Sequence, residues 1–298
     1  MKWIKKGLIF KPDKRFFWSK THSMIPTPIK INERELKVFY SGRDKENRSH
    51  IGYVIFDLKN NLKIIKKSSK PILSPGNLGC FDDNGVTPSC AIKIGKKIFL
   101  YYIGWNPGST VRMHLFGGLA ISSDNGESFS RWSRAPIIER NITDPFLNTA
   151  PFVVKVKGGY RMYYVSGHEW LHKDLPRYNI KTAFSKDGLA WQRKGKVCID
   201  FKDSSENALA RPFVIFDKGV WKMWFGYKKH FYRIGYAESH NGIDWKRKDH
   251  LANIDVSKDG FDSEMIEYAS IITYKSGYAM FYNGNNYGFD GIGLAISE

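Results

Sequence analysis

Charged side chains recur at comparable places along the chain. Acids stand just before short apolar stretches: Asp82 and Asp83 before Val-Thr-Pro88, Asp144 before Pro151, Glu206 before Arg211-Pro212, and Glu264 and Glu267 before Ser270, with His22 leading the first stretch. Cations and histidines gather further on, as Arg43 and Arg48, Arg112 and His114, His168, His172 and Arg177, and Lys228, Lys229 and His230. Acids near one another and ringed by cations suit a polar, anionic ligand. For any single residue the competing reading is a solvated loop charge.

Two motifs invite stronger chemistry. His168-Glu169-Trp170-Leu171-His172 matches HExxH, which holds zinc when a helix sets its histidines one turn apart and the glutamate activates water. Here it follows the strand-like Arg161-Met162-Tyr163-Tyr164-Val165 and runs into Lys-Asp-Leu-Pro, so we expect no metalloprotease, metal or cofactor, and keep His168 as a ligand contact. Asn283 to Gly288 is glycine-rich but lacks the lysine and following helix of a P-loop. It reads as a loop offering amides and the Tyr287 ring.

These residues are positioned by a repeat. TPIKINERELKVFYSG, TPSCAIKIGKKIFLYYIG, APFVVKVKGGYRMYYVSG, RPFVIFDKGVWKMWFGY and ASIITYKSGYAMFYNG are five copies of an apolar strand followed by a strand closing on an aromatic pair. Anchored on Pro28, Pro88, Pro151, Pro212 and Ser270, they are spaced by 60, 63, 61 and 58 residues. Each continues into a third strand, and three then turn through Asp124-Asn125-Gly126, Asp187-Gly188 or Asn241-Gly242, as tight hairpins do. Four antiparallel strands per copy predict an all-β, five-bladed β-propeller, a single domain over 1–298. The last copy lacks a fourth strand, which Trp3 to Ile9 would supply, closing the ring. First-strand approaches and the loops between second and third strands then share one face, at the channel mouth.

Composition sets the outer bounds. Hydrophobic residues make up 42% and aromatics 15%, which excludes disorder, and no run approaches the roughly 20 apolar residues of a membrane span. Without a signal-peptide core, and with only Cys80, Cys90 and Cys198, the expectation is a soluble cytoplasmic protein. Lys+Arg number 47 against 29 Asp+Glu, a charge of +18 that favours anionic partners or simply solubility. Many cations lie in fourth strands, for example Lys66, Arg193 and Lys194, around a rim rather than in one groove, which argues against specific nucleic-acid binding.

Five blades of this size with such turns resemble the glycoside hydrolase families 32, 43, 68, 117 and 130, including glycosidase-like proteins of bacterial polysaccharide gene clusters. The resemblance implies a carbohydrate-active enzyme working at the channel mouth on a glycosidic bond by hydrolysis, phosphorolysis or transfer. The family 43 carboxylates do not carry over, since Thr27, Ala150 and Ala210 stand in their places. Glycoside hydrolysis needs one protonated and one ionised carboxyl. Glu206, with Asp83 or Glu264, is the expected catalytic pair, and His22, Arg43, Asp82, Arg112, His168, Arg211, Lys228, Glu267 and Tyr287 are the expected substrate contacts. The partner is a small carbohydrate, phosphorylated or nucleotide-linked if the basic loops form a cradle. Synthesis of nucleotide sugars or surface polysaccharide, and sugar binding without catalysis, are the alternatives.

Overall fold

Short apolar segments bounded by turns give strands rather than helices, and the computed structural model, which describes residues 2–297, is built almost wholly of them. After β1 (Trp3–Phe10) come four antiparallel groups. They are β2 (Thr21–Lys30), β3 (Glu35–Arg43), β4 (Ser49–Asp57) and β5 (Lys63–Lys67); β6 (Val86–Ile94), β7 (Lys97–Pro107), β8 (Met113–Ser122) and β9 (Ser130–Arg131); β10 (Asn148–Val156), β11 (Gly159–His172), β12 (Leu175–Ser185) and β13 (Gln192–Ile199); and β14 (Ala208–Asp217), β15 (Val220–Lys228), β16 (Tyr232–Ser239) and β17 (Lys246–Arg247). A last group holds β18 (Glu267–Tyr274), β19 (Gly277–Asn283) and β20 (Ile292–Ser297), with one helical turn, α1 (Asn285–Gly288), before β20.

β1 pairs antiparallel with β20, from Trp3 opposite Ser297 to Phe10 opposite Ile292. It is the outer strand of the last group and buries Trp3 and Phe10. Deleting residues 1–10 is expected to expose the β20 edge and cause aggregation or a lower Tm. Light scattering and melting check this, and a stable monomer of unchanged Tm would contradict it.

First strands touch one another in sequence, β2 on β6, β6 on β10, β10 on β14, β14 on β18, and β18 back on β2. Neighbouring groups are also joined by aromatics. The Tyr101 hydroxyl donates to the Gly188 carbonyl at 2.7 Å and Tyr163 to Gly242 at 2.8 Å, each from a second strand to the turn of the next group. Trp191 and Trp245 pack edge-on against the same two tyrosines. Gly188 and Gly242 have φ of 79° and 70°, so these turns need glycine to present that carbonyl. The aromatic pairs and Asx-Gly turns of the repeat are thus two halves of one contact.

The register corrects the repeat in two places. A bulge in each first strand fixes equivalence: it falls at Ile25-Pro26, Ala150-Pro151, Arg211-Pro212 and Tyr268-Ala269, with a shorter one at Ser89. The counterpart of Pro151 is therefore Pro26, not Pro28, and in the last group Ala269, not Ser270. A bulge adds residues without changing strand composition, so spacing alone slides past it.

Candidate active site

At four of the bulges a non-glycine residue has positive φ: Ile25 at 50°, Ala150 at 48°, Arg211 at 40° and Tyr268 at 56°. Such backbone is strained and turns the side chain away from the ordinary alternation of a strand. Arg211 is turned in among the neighbouring first strands. Its Nη1 donates to the carbonyls of Tyr268 (3.1 Å) and Ala269 (2.8 Å) and to Ser270 Oγ (2.6 Å). Its Nη2 donates to Pro26 O (2.8 Å) and Thr27 Oγ1 (3.1 Å), and weakly to Ser89 O (3.5 Å). The guanidinium from β14 thus ties β18, β2 and β6 together, and burial lowers its pKa to about 9. Sequence reasoning set Arg211 in a ligand cradle, but both its Nη groups are spent on the protein's own carbonyls and hydroxyls, and only Nε is left without a partner.

Immediately before the bulges stand Met24, Thr149, Ala210 and Glu267, with Thr87 at the same register in β6. Only Glu267 is ionisable. It is fully buried and neither carboxyl oxygen has a hydrogen-bond partner in good geometry. Burial pushes this carboxyl well above the usual carboxylate range, against the weaker opposite pull of the Tyr268 hydroxyl and the Lys228 ammonium. Around it lie further hydroxyls. Tyr178 and Tyr232 share a 2.6 Å hydrogen bond, Tyr232 meets Tyr287 edge-on at 6.2 Å, and the Lys228 ammonium lies 5.5 Å from the Tyr232 ring centre. Tyr287 and Asn286, in α1, are both left-handed, which holds the Tyr287 ring over this cluster.

Tyr268 also lines a cavity of about 210 Å³, together with Arg43, Asn47, Asn84, Thr87, Trp105 and Arg112. Beside it His22 is buried and is pushed down to about 4 by burial and then by Arg43, so its ring is neutral at pH 7. His22 Nδ1 lies 2.8 Å from Thr21 Oγ1. Of the sequence candidates, the structure gathers Arg43, Arg112, His22, Lys228, Glu267 and Tyr287 into this region. It adds Tyr268, Tyr178, Tyr232 and Trp105, which no sequence motif marked.

The remaining candidates lie elsewhere. Glu206 is fully buried, with Oε2 and Oε1 taking Arg247 Nη1 at 2.8 Å and Nη2 at 3.0 Å, and Oε2 also taking the Lys202 amide at 2.9 Å. Asp82 receives the Tyr102 hydroxyl at 2.9 Å and Arg131 Nε at 2.8 Å. Asp144 and Asp262 repeat the pattern, with Tyr164, Lys181 and Arg193, and with Tyr282 and Lys5. These acids are latches joining a leading loop to the second and outer strands of its own group. Asp83 caps the Gly79 amide and takes Asn106 Nδ2, and Glu264 is exposed with its backbone held by Arg233 and Asn285. Glu206 is thus taken up by Arg247 and the Lys202 amide, and Asp83 by the Gly79 amide and Asn106, rather than left free toward the cavity.

His168 is exposed, 6.3 Å from the Phe201 ring, and the HExxH stretch lies on β11. Extended backbone puts residues four apart about 13 Å from each other, too far to share one ion. Glu206→Ala is expected to cost roughly 3 kcal/mol in denaturant unfolding by orphaning part of Arg247, the low end for a broken buried pair because Asp249 still holds that guanidinium at 2.8 Å. An unchanged midpoint would remove the latch role.

The architecture is that of known glycoside hydrolases. The chain superposes on BT0996 in an RGII complex with a TM-score of 0.78 and 18% identity, covering 99% of this chain and 91% of that one. A glycosyl hydrolase from Bacteroides ovatus gives 0.72 at 14% identity, covering 97% and 91%. A thermostable family-43 glycoside hydrolase gives 0.66 at 16%, covering 92% and 88%. At these identities the likeness is one of fold. No protein-family model matches the chain. In sequence it is 40% identical over 300 residues, the whole of both chains, to uncharacterized protein Rv1502 of Mycobacterium tuberculosis, and it belongs to the same family as that protein.

Proposed function

We propose that the five strand groups are the blades of one five-bladed β-propeller domain, closed by β1, and that the chain is a carbohydrate-active enzyme acting on a glycosidic bond at the channel mouth. The observation that carries this is Glu267, a buried carboxyl without a partner, next in the chain to Tyr268, which lines a cavity in a glycoside-hydrolase fold. Held toward its neutral form by burial, Glu267 is a proton reservoir of the kind that a leaving glycosidic oxygen requires. Tyr268 is the group that reaches the cavity: its hydroxyl gives a proton to the leaving oxygen while water takes the glycosyl carbon, Glu267 returns a proton to Tyr268 once the two come within hydrogen-bond distance, and the proton released by the water restores Glu267. Trp105 offers a face for a sugar ring. Three free cysteines fit a reducing, cytoplasmic setting.

A second reading, sugar binding without cleavage, is favoured by the absence of any carboxylate from the cavity wall among the described residues. Aryl glycosides and native oligosaccharides separate the two. Release of reducing ends that falls at least about 100-fold in Tyr268→Phe supports catalysis through this hydroxyl. Binding with no turnover on any substrate supports the second reading.

A further inference from the structure

We propose that Arg43 and Arg112 form a subsite for an anionic group carried by the substrate, a carboxylate or a phosphate. This deepens the glycosidase reading and rests on it for the rest of the ligand. Both arginines line the cavity beside Tyr268, and none of its lining residues is acidic. Elsewhere half-buried guanidiniums are matched by carboxylates, as Arg131 by Asp82, Arg193 by Asp144 and Arg247 by Glu206. Among the described residues neither Arg43 nor Arg112 has an ion-pair partner. Arg43 Nη1 spends one bond on Asn47 Oδ1 at 3.0 Å, and Nη2 meets only Met24 Sδ, at 3.4 Å.

Two like charges close enough to disfavour each other, one of them desolvated, are what burial and Arg112 impose on Arg43. A bound anion relieves both effects, and guanidiniums supply the planar paired donors that carboxylate and phosphate oxygens accept. Thr87 and Asn84 add neutral polar groups to the same wall. The space is below the roughly 300 Å³ typical of pockets for whole drug-sized ligands. It therefore takes one terminal sugar residue or its anionic substituent, not a chain. The arrangement is local, and it leaves Arg211 and His168 out.

Calorimetric titration of the intact protein with inorganic phosphate, glucuronate and glucose tests the subsite. At least one anion is expected to bind where glucose does not, with affinity falling as salt is raised. Phosphate alone identifies a phosphoryl substituent, glucuronate alone a sugar acid, and both a general anion site. Arg112→Ala, at an exposed position, is expected to weaken binding at least about tenfold; Arg43→Lys, which keeps the charge but loses the fork, is expected to weaken it less, and the rim substitution Lys63→Ala not at all. Failure of both anions to bind, or binding unchanged in Arg112→Ala, overturns the proposal. If the anions fail while Glu267→Gln still abolishes turnover of a neutral glycoside, the subsite falls and the glycosidase reading stands. Anion binding without turnover of any glycoside leaves the subsite and removes that reading.

Discussion

Glutamine in place of Glu267 is expected to cut glycoside turnover at least about 100-fold, the usual worth of general acid or base assistance, with the fold intact. The buried carboxyl is held in its neutral form, and a carboxamide matches that form in size and charge. The pH dependence has a definite sign. Because the native pKa lies well above the ordinary glutamate value of 4.5, the folded state binds the proton more tightly than the unfolded state does. This contribution to stability is complete below the unfolded value and is lost as pH rises toward the native one. Melting at pH values rising above 4.5 should therefore show a downward slope in the wild type that the glutamine variant lacks. Unchanged turnover would take Glu267 out of the chemistry, and a variant that melts far lower would make it a structural residue.

Arg211→Ala is expected to be the most damaging single substitution to stability, costing more than about 3 kcal/mol. Removing the guanidinium takes the side-chain donor from the carbonyls of Tyr268 and Ala269 and leaves Pro26 O to the Ser270 hydroxyl alone, and each buried polar group left without its partner costs about 1–3 kcal/mol. Arg211→Lys keeps a charge but cannot fork between β2 and β18, so it should fall between the two. Denaturant midpoints at unchanged slope give the measurement. A loss below about 1 kcal/mol would show that the first strands hold together without this tie.

Much of the architecture was legible in the sequence because the repeat is written in residue types that face each other. The aromatic pairs and the Asx-Gly turns recur since Tyr101 needs the Gly188 carbonyl and Tyr163 that of Gly242. The site was only half legible. Arg43, Arg112, Glu267 and Tyr287 stood out as charged or aromatic loop residues, but Glu206 looked equally good because acids of both kinds lead a first strand. The difference lies in the outer strand: Asp82 with Arg131, Asp144 with Arg193 and Glu206 with Arg247 are acid and cation pairs separated by 49, 49 and 41 residues. Scanning for that pairing would have marked the latches and left Asp83, Glu264 and Glu267 as the acids without one, of which only Glu267 is fully buried. Tyr268 carried no signal, since its role comes from a backbone bulge that composition does not encode.

The pairing of β1 with β20 has a consequence for how the chain is made. β1 leaves the ribosome long before β20, and at the roughly 5–20 residues per second of synthesis its wait is about 15–60 s. Throughout it Trp3 and Phe10 lack the β20 side of their burial, although Phe10 can already pack on Tyr40, while the basic residues Lys5 and Lys6 keep that waiting strand soluble. The same sequence separation makes the final contact slow to find and entropically costly to close. Lys5 then docks on Asp262 at 2.7 Å and converts a vectorial, open-ended intermediate into the finished molecule.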